Sequence, residues 1–507
     1  MGDWVNPQTF SSVWERAIGL HSDKVFLRFE DSQGVISVWS YQEFDEVIQR
    51  AAGFLSEAGV KKGSAVHLAL TNSPSFVAVW LASMRLGAWI VPSDPQAGET
   101  ELAGHLERTL PVMGFCAASR SEVYRRACGS LQVVEVDEDD ADLTFFGQRP
   151  FLAWPAVGLQ DRAAVMFTSG TTGLPKGVEV TQANYAFAGF SMAQAAALGP
   201  GDRQLVVLPL FHANAQYYSF ASAIWTGASV ALMASFSASR FLEQAKRHEA
   251  TAVSLFAAPL RMILARGGPV EGLALRHCWF AQNITPDQYA TVSSWFGCSP
   301  RQLYGMTETI AAVLTDDSTS PNPASMGRAT EGCVVEVQGP GGEIVAAGSV
   351  GEIVVGGKPG VTLFAGYLDD PQTTSQSFRG EWFLTGDRAY CDEIGRYFFD
   401  GRHSDVLKVA GENVSVVEVE AVLAEHPGVS EVAVVGRPDA IRDEVPVAFV
   451  VLNPAQQDLS EEALLRWCEE HLSRSKRPRE VVVLEELPRT SVGKIRKYLL
   501  TEMEKSS

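Results

Sequence analysis

The stretch Thr168-Ser-Gly-Thr-Thr-Gly-Leu-Pro-Lys-Gly177 combines four hydroxyl side chains, three glycines and one lysine within ten residues. Glycines allow the backbone to approach an anion closely, and successive N–H groups then form a concave anion-binding nest. The hydroxyls add neutral donors and Lys176 adds a positive charge. We therefore expect a phosphate-binding loop with the contact residues Thr168, Ser169, Gly170, Thr171, Thr172, Gly173 and Lys176.

This loop differs from a Walker A loop. A Walker A loop ends in Gly-Lys-Ser/Thr, whereas Gly173 is followed here by Leu-Pro, and Lys176 is followed by glycine. Taken alone, the stretch is also compatible with a flexible Gly/Thr turn that holds no ligand. A short apolar run at residues 163–167 predicts a strand that leads into the loop.

Length, composition and charge narrow the class of protein. A chain of 507 residues predicts a large body and at least one further domain. Hydrophobic residues make up 46% and charged residues 20%, which is typical of a soluble globular enzyme. The net charge of −19 disfavours nucleic acid as a partner, because phosphate backbones attract basic surfaces. Any nucleotide is therefore expected to be a small ligand in a local pocket.

The cysteines and the apolar segments bear on cellular location. The seven cysteines are scattered without C-x-x-C spacing, which argues against a disulfide framework or zinc site and favours the cytoplasm. The N-terminus shows no basic and apolar regions of a secretory signal. Residues 76–92 are apolar, but Arg85 and Gly87 interrupt them. A buried helix followed by a strand is therefore predicted there, and no membrane span.

Three regions with different predicted secondary-structure patterns follow one another along the chain. The first alternates helix and strand patterns, at residues 41–58, 65–70, 75–86 and 89–91, and strands recur at 163–167, 204–209 and 252–256. Such alternation predicts parallel sheet with covering helices. Short strands between Gly, Pro and Asp turns predict a small β-rich subdomain at about residues 320–400. Helices at 416–425 and 460–472, with strands at 432–435, 445–452 and 481–484, predict a C-terminal α+β domain.

Tyr304-Gly-Met-Thr-Glu308 is a second candidate segment. An adenine can stack on the ring of Tyr304, and Glu308 offers a hard oxygen ligand for Mg²⁺ bridging phosphates. A helix start with Thr307 as its cap is the alternative interpretation.

Three further positions complete the candidates. Asp387 can accept hydrogen bonds from the vicinal hydroxyls of a ribose, although an ordinary turn aspartate is also compatible with its glycine neighbour. Arg402 can reach ribose or phosphate, or it can belong to a solvated linker. Lys494 lies in a glycine-containing segment and by itself indicates little.

In order and spacing these segments resemble the adenylate-forming superfamily of acyl- and aryl-CoA synthetases, adenylation domains of peptide synthetases and luciferases. Ser40-Tyr-Gln-Glu-Phe44 and Arg85-Leu-Gly-Ala-Trp-Ile-Val-Pro92 are similar to two more motifs of that superfamily. The resemblance covers essentially the whole chain.

The resemblance implies an α/β fold with two domains. A large N-terminal domain, about residues 1–403, would contain parallel-rich sheets, covering helices and the β-rich subdomain. A small mobile α+β domain would follow at about residues 404–507. ATP would bind at the interface of the two domains. The implied chemistry has two steps. A carboxylate attacks the α-phosphorus of Mg·ATP to give acyl-AMP and pyrophosphate, and the thiol of coenzyme A then displaces AMP. Between the steps the C-terminal domain rotates.

The resemblance also implies roles at matching positions. The phosphate loop would hold the β- and γ-phosphates. The other implied roles are adenine binding by Ala281, Gln282, Asn283, Tyr304, Gly305 and Met306, α-phosphate contact by Thr307, Mg²⁺ binding by Glu308, ribose binding by Asp387 and Arg402, and catalysis by Lys494 with Thr307, Glu308 and His212. Lys494 would bridge the carboxylate and the α-phosphate, where negative charge builds up.

Two positions depart from the superfamily pattern. The Gly-Gly/Ser-Ala-Pro stretch at the adenine edge is replaced by Phe280-Ala-Gln-Asn-Ile284. A similar loss in carnitine-type CoA ligases makes that branch the nearest match. Ser404 stands where the hinge usually carries Asp or Lys, so the efficiency of the thiol step is open.

Pro209-Leu-Phe-His-Ala-Asn214 bears on the acid. Amino-acid-activating relatives place an aspartate after the phenylalanine, whereas His212 offers no fixed negative charge. In acyl- and aryl-CoA ligases a histidine here is a movable gate; a core histidine is the alternative. The expected lining residues are Gln216, Tyr217, Tyr218, Phe256, residues 281–284 and Met306. They favour a largely apolar acid with a few polar groups, and a bulky acid is compatible with them.

Three functions remain open at this point. The favoured one is a free-standing acid–CoA ligase that uses ATP, Mg²⁺ and coenzyme A. The second is an adenylating enzyme that passes acyl-AMP to a carrier protein or partner enzyme in trans. The third is a non-catalytic scaffold that binds nucleotide or acyl ligand, which the presence of Lys494, Glu308 and Lys176 disfavours.

Overall fold

The structure is a computed structural model. It describes residues 6–139, 141, 143–151, 153–168, 175–402, 406–409, 412–439, 442–453, 456, 459–474, 476–489 and 495–506. The candidates Ser169, Gly170, Thr171, Thr172, Gly173, Ser404 and Lys494 lie outside the described residues.

Helices and strands alternate through most of the described chain. The α-helices are α1 (Phe10–His21), α2 (Tyr41–Glu57), α3 (Pro74–Arg85), α4 (Glu99–Thr109), α5 (Ser121–Cys128), α6 (Gln182–Ala195), α7 (Ser222–Thr226), α8 (Phe241–Arg247), α9 (Ala257–Arg266), α10 (Pro286–Phe296), α11 (Pro371–Gln376), α12 (Val416–Ala424), α13 (Glu461–His471) and α14 (Lys497–Ser506). The strands are β1 (Val25–Glu30), β2 (Ile36–Ser40), β3 (Ala65–Ala69), β4 (Trp89–Pro92), β5 (Met113–Ala117), β6 (Gln132–Val136), β7 (Arg162–Thr168), β8 (Lys176–Thr181), β9 (Arg203–Val206), β10 (Ser229–Met233), β11 (Ala252–Phe256), β12 (His277–Ala281), β13 (Arg301–Tyr304), β14 (Leu314–Thr315), β15 (Arg328–Ala329), β16 (Val334–Gln338), β17 (Gly351–Gly356), β18 (Gly366–Tyr367), β19 (Phe378–Arg379), β20 (Trp382–Cys391), β21 (Tyr397–Arg402), β22 (Val406–Val409), β23 (Glu412–Ser415), β24 (Val429–Asp439), β25 (Asp443–Leu452) and β26 (Glu480–Val483).

The chain divides into two units. The first comprises Met1–Val335 and Val355–Phe383, and the second comprises Glu336–Val354 and Leu384–Ser507.

Two parallel-rich sheets form the framework of the first unit. The strand order is β15-β14-β13-β12-β11-β9-β10-β1-β2 in one sheet and β18-β8-β7-β4-β3-β5-β6 in the other. In both sheets the central strands run parallel and the antiparallel pairs lie toward the edges, as in β1/β2, β13/β14 and β7/β8. The fold-class prediction is confirmed, although the β1–β2 hairpin was not anticipated.

The core of the first unit is helical and aromatic. Every residue of α3 is buried, which fits its apolar sequence on all sides. The indole of Trp80 on this helix contacts the rings of Phe10, Tyr185 and Phe220. Among the described residues, no helix is long and apolar enough to cross a membrane. The apolar stretch at residues 76–92 falls in α3 and β4, a helix and a strand that are both buried, as predicted.

The second unit is α+β in its C-terminal part. Strands β23, β22, β25 and β24 form a sheet in that order, and β26 pairs in parallel with β25. Apolar side chains of α12 and α13 pack with those of the strands, including Val419, Leu464 and Ala448. β21, in the same unit, pairs antiparallel with β20, most of whose residues also belong to this unit.

Candidate functional site

The carboxyl edge of the first sheet gathers four predicted segments. β9, β11, β12 and β13 run parallel to one another, so their carboxyl ends share one edge. The segments that follow these strands carry His212, Phe256, residues 281–283 and residues 304–308. Ligands of open α/β sheets bind at this edge, and the sheet therefore brings together residues that are distant in sequence.

The segment after β12 has an unusual backbone. Gln282 adopts a φ of +74°, a left-handed conformation that favours glycine. The buried side chain of Gln302 supports it, since its Nε2 donates to the carbonyl of Gln282 at 3.0 Å and to Oδ1 of Asn283 at 3.3 Å. Gln282 and Asn283 are themselves exposed. The chain thus keeps a glycine-like turn at the predicted adenine edge without a glycine.

The segment after β13 is tightly packed. A Cβ on Gly305 would lie 2.8 Å from the hydroxyl of Tyr218 and 2.9 Å from the carbonyl oxygen of Ala311, so only glycine fits there. Thr307–Thr309 then form one turn of 3₁₀-helix. The Met306 amide donates to Oγ1 of Thr309 at 3.0 Å. Thr309 therefore provides the hydrogen-bond acceptor for the backbone N–H at the start of this turn, and Thr307 lies inside the turn.

A line of three side chains joins this turn to the phosphate loop. The hydroxyl of Tyr367 donates to Oε1 of Glu308 at 3.0 Å, and both side chains are buried. The ammonium of Lys176 lies 4.8 Å from the centroid of the Tyr367 ring, within reach of a cation–π interaction. Burial and then the charge of Glu308 raise the pKa of Tyr367. Tyr367 therefore stays protonated and remains a donor to the carboxylate.

The phosphate loop connects two antiparallel strands. Thr168 at the end of β7 is the register partner of Lys176 at the start of β8. A Walker A loop leads from a strand into a helix, whereas here the chain returns as a strand and Lys176 belongs to it. The element that carries Lys176 is therefore a strand and not the helix of a Walker A motif.

His212 lies next to a π-helix at Asn214–Ala221, a rare element that often marks functional sites. Its ring is half-buried, with its centroid 4.5 Å from that of Phe211. Gln216 is fully buried; its side chain donates to the carbonyl of Leu210 at 2.6 Å and accepts from Tyr185. Gln216 therefore helps to hold the π-helix.

Asn214, the first residue of the π-helix, is 5% exposed, and neither polar atom of its amide has a hydrogen-bond partner within the described structure. A buried amide without partners is costly. It is therefore a candidate for contact with a ligand, and the sequence analysis missed it.

Asp387 and Arg402 pair within the second unit. They are register partners in β20 and β21, and Nε of Arg402 donates to Oδ1 of Asp387 at 2.7 Å. Asp387 is buried, and its backbone N–H donates to Oγ1 of Thr385 at 3.1 Å. A register shift follows Asp387, and such irregularities re-aim side chains beside functional sites.

The segment that contains Lys494 has two described neighbours. Arg489 and Ile495 form an isolated antiparallel bridge. The side chain of Ile495 packs against a buried cluster that includes Ala433 and Leu500. Both flanks of the segment are thereby attached to the sheet of the second unit.

Tyr367 is the main residue that sequence reasoning missed. Its hydrogen bond to Glu308 spans 59 residues, and no motif spacing connects the two. The available signal was the Gly366-Tyr367 pair beside an aromatic residue, Phe364. Only the pairing of β18 with β8 brings that tyrosine to the lysine end of the loop.

The two-sheet α/β fold, the Gly/Thr-rich connection between β7 and β8 and the carboxylate-bearing turn after β13 are typical of the class of adenylate-forming enzymes. The chain belongs to the AMP-binding enzyme family. The family's main domain, AMP-binding enzyme, matches residues 14–368, and the AMP-binding enzyme C-terminal domain matches residues 418–494.

Three known proteins are similar over nearly the whole chain. A crotonobetaine/carnitine–CoA ligase of Escherichia coli O139:H28 (strain E24377A / ETEC) is 33% identical, with 97% of this chain and 99% of the relative covered. The anthranilate CoA ligase AuaEII in complex with anthranoyl-AMP superposes with a TM-score of 0.86 at 25% identity, over 98% of this chain and 97% of that one. O-succinylbenzoate coenzyme A synthetase (MenE) from Bacillus subtilis in complex with AMP superposes with a TM-score of 0.85 at 27% identity, over 97% of this chain and 98% of that one.

Proposed function

We propose that the protein is an ATP-dependent acid–CoA ligase that forms an acyl-AMP intermediate. Its family membership and its CoA-ligase relatives support this function. The observation that carries it is the line from Lys176 through Tyr367 to Glu308, which joins a loop suited to phosphates to a buried carboxylate. The domain boundary near residue 403 remains part of the proposal.

In the first half-reaction a carboxylate oxygen of the acid attacks the α-phosphorus of ATP. A new P–O bond forms, the bond to the β-phosphate oxygen breaks, and pyrophosphate leaves. The phosphate loop and Lys176 bind the departing phosphates, and Thr307 contacts the α-phosphate. Lys494 offsets the negative charge shared by the carboxylate and the α-phosphate.

The nucleoside is held by two groups of residues. Tyr304 flanks the adenine together with the backbone of residues 281–283, 305 and 306. The carboxylate of Asp387 accepts from the ribose hydroxyls, and Arg402 orients that carboxylate through the 2.7 Å hydrogen bond. Holding the nucleotide in this way reduces the entropy cost of the attack.

Magnesium fits the donors of this chain. Mg²⁺ is commonly held by one or two carboxylates together with substrate phosphates, and Glu308 provides a buried carboxylate at the turn after β13. Bound magnesium neutralises phosphate charge. Tyr367 fixes the orientation of the Glu308 side chain.

In the second half-reaction the sulfur of coenzyme A attacks the acyl carbon. A thioester bond forms, the acyl–phosphate bond breaks and AMP leaves with the electron pair. AMP is a far better leaving group than a carboxylate oxygen, which is why the first step is needed. Lys494 is required for the first step only, because the C-terminal domain turns between the steps.

The acid is a largely apolar carboxylic acid with a few polar groups. The similar proteins are named for different acids, so their names do not identify the acid that this chain uses. The assignment is therefore based on this chain's own residues. Tyr217 and Tyr218 give the π-helix a buried aromatic surface, and His212 adds no fixed negative charge. The unpartnered amide of Asn214 is suited to a hydrogen-bonding group on the acid.

A screen for pyrophosphate release over carboxylic acids, with and without coenzyme A, tests this function. Release that yields acyl-CoA is expected for at least one acid. Release that stops at acyl-AMP would instead establish the adenylating enzyme that serves a carrier protein or partner enzyme. No release with any acid would favour the scaffold.

Lys494→Ala provides the mechanistic test. Adenylation is expected to fall by about 10²–10³, as for the loss of one charge-stabilising donor, while thiolation of supplied acyl-AMP persists. Equal loss of both half-reactions would contradict the assignment of Lys494 to the first step. Lys476→Ala, which removes a lysine paired with Glu418 in the same unit, is the control and is expected to leave both steps unchanged.

A further inference from the structure

The last turn of α4 contacts both ends of the phosphate loop. The imidazole of His105 stacks on the ring of Phe167, with centroids 4.0 Å apart and planes within 6°. The guanidinium carbon of Arg108 lies 4.9 Å from the centroid of the same ring. NH1 of Arg108 donates to the carbonyl of Pro175 at 2.6 Å. Because Phe167 precedes residues 168–174 and Pro175 follows them, one arginine contacts both flanks of that segment.

His105 is held rigidly in this position. Its Nδ1 lies 2.8 Å from Oγ of Ser93, which is 3.0 Å from Nε2 of His67, and the hydroxyl of Tyr124 lies 2.8 Å from Nδ1 of His67. Burial, followed by the charge of Arg108, lowers the pKa of His105 to about 4. His105 is therefore neutral at pH 7, and its stack on Phe167 provides a fixed uncharged platform at the end of β7.

Arg108 brings charge to this platform. The side chain is exposed, yet its planar fork is engaged with a ring and a carbonyl, a geometry that lysine reproduces only in part. Hydrogen bonds from Thr373 are the main cause of the lowered pKa of Asp370, and the charges of Lys176 and Arg108 lower it further. Both cations therefore lie near this carboxylate. Gly177, which pairs with Phe167, is closely packed, since a Cβ there would lie 3.1 Å from Val165.

We propose that Arg108 is a positioning residue that holds Phe167 and Pro175, the residues on either side of segment 168–174, and thereby supports the binding of ATP. The alternative is that Arg108 only stabilises the C-terminus of α4, where a basic side chain is favourable in any helix. The proposal rests on the proposed function, because it concerns ATP. The positioning role predicts a change in the KM for ATP, whereas a role confined to the stability of α4 does not.

Steady-state adenylation by Arg108→Ala, Arg108→Lys and Arg120→Ala tests the proposal. Arg120 is the matched control, because it also donates to backbone carbonyls, those of Pro95 and Ala97, which are far in sequence from Phe167 and Pro175. Arg108→Ala is expected to raise the KM for ATP about tenfold and to leave kcat within about twofold, since the loop binds ground state and transition state alike. Arg108→Lys should recover part of the loss, because it retains the cation over the ring.

Hydrogen exchange of the nucleotide-free protein gives a readout that needs no activity. Exchange in peptides spanning residues 164–180 should increase in Arg108→Ala and not in Arg120→Ala. Equal behaviour of the two alanine variants in KM and in exchange would overturn the proposal, as would a fall in kcat at unchanged KM. If the wild-type protein adenylates no acid, the proposed function fails, whereas the exchange comparison still decides whether Arg108 holds the loop.

Discussion

The cluster of Lys176, Tyr367 and Glu308 in the first unit and the Asp387–Arg402 pair in the second show two ways of building a site. The cluster joins three separate segments, and each link depends on strand order and packing. The pair lies on two adjacent antiparallel strands, where register alone brings the side chains together. The cluster is therefore a product of the tertiary fold, whereas the pair is a product of one hairpin. We expect substitutions in the cluster to be strongly coupled and those in the pair to act locally.

Glu308→Gln should have the largest effect in this comparison. The amide keeps the size of the side chain and can still accept from Tyr367, but it removes the negative charge proposed to bind Mg²⁺. Adenylation should fall by about 10²–10³, as when one preorganised electrostatic group is lost. Pyrophosphate exchange measured across magnesium concentrations checks this, with an increased magnesium requirement as the expected signature.

Glu179→Gln is the matched control for that variant. Glu179 lies on β8 with Lys176, and its carboxylate pairs with Arg162, whereas that of Glu308 accepts from Tyr367. It should leave adenylation within about twofold, as expected for a carboxylate outside the catalytic machinery. If both glutamine variants lost activity alike, the assignment of Glu308 as the magnesium ligand would be wrong.

Arg402→Ala tests the local pair and should have an intermediate effect. It leaves the buried carboxylate of Asp387 without this donor, which disturbs the proposed ribose contact. The KM for ATP should rise about tenfold, corresponding to about 1.4 kcal/mol, with a smaller change in kcat.

The same variant can be assayed with 2′-deoxy-ATP and with 3′-deoxy-ATP. If the pair binds the ribose hydroxyls, the penalty of Arg402→Ala should shrink with at least one of these analogues, because variant and analogue remove the same interaction. A penalty that stays constant across all three nucleotides would remove the pair from the ribose site.

Tyr367→Phe should have the smallest effect. It removes only the hydroxyl that donates to Glu308 and leaves the ring beside Lys176. The loss of one hydrogen bond to a carboxylate should lower adenylation by about fivefold to tenfold. Kinetic measurement of a double-mutant cycle with Glu308→Gln should show non-additive losses. Strict additivity would mean that the cluster does not act as a unit.

Local sequence predicted much of the fold because local rules decide it. Residues 252–256 form the strand β11 as expected, and α2 begins at Tyr41 with Ser40 and Glu43 in a capping box. The segments that hold Glu308, Asp387 and Arg402 were selected as candidates from their residue types, and their roles stay predictions. The hairpin β1–β2 was missed, since its place beside β10 depends on a strand two hundred residues away.

By itself the sequence determined the class of chemistry: glycines, hydroxyls and a lysine near a strand indicate phosphate, and Glu308 indicates a metal-bound nucleotide. Only the tertiary structure decided how these parts are connected. It made the phosphate loop a hairpin connection, placed Tyr367 between Lys176 and Glu308, gave Gln282 a glycine-like backbone and set Arg108 across the loop's ends. The physical reason is that such contacts depend on strand order and side-chain packing over long separations, which residue types and spacing do not encode locally.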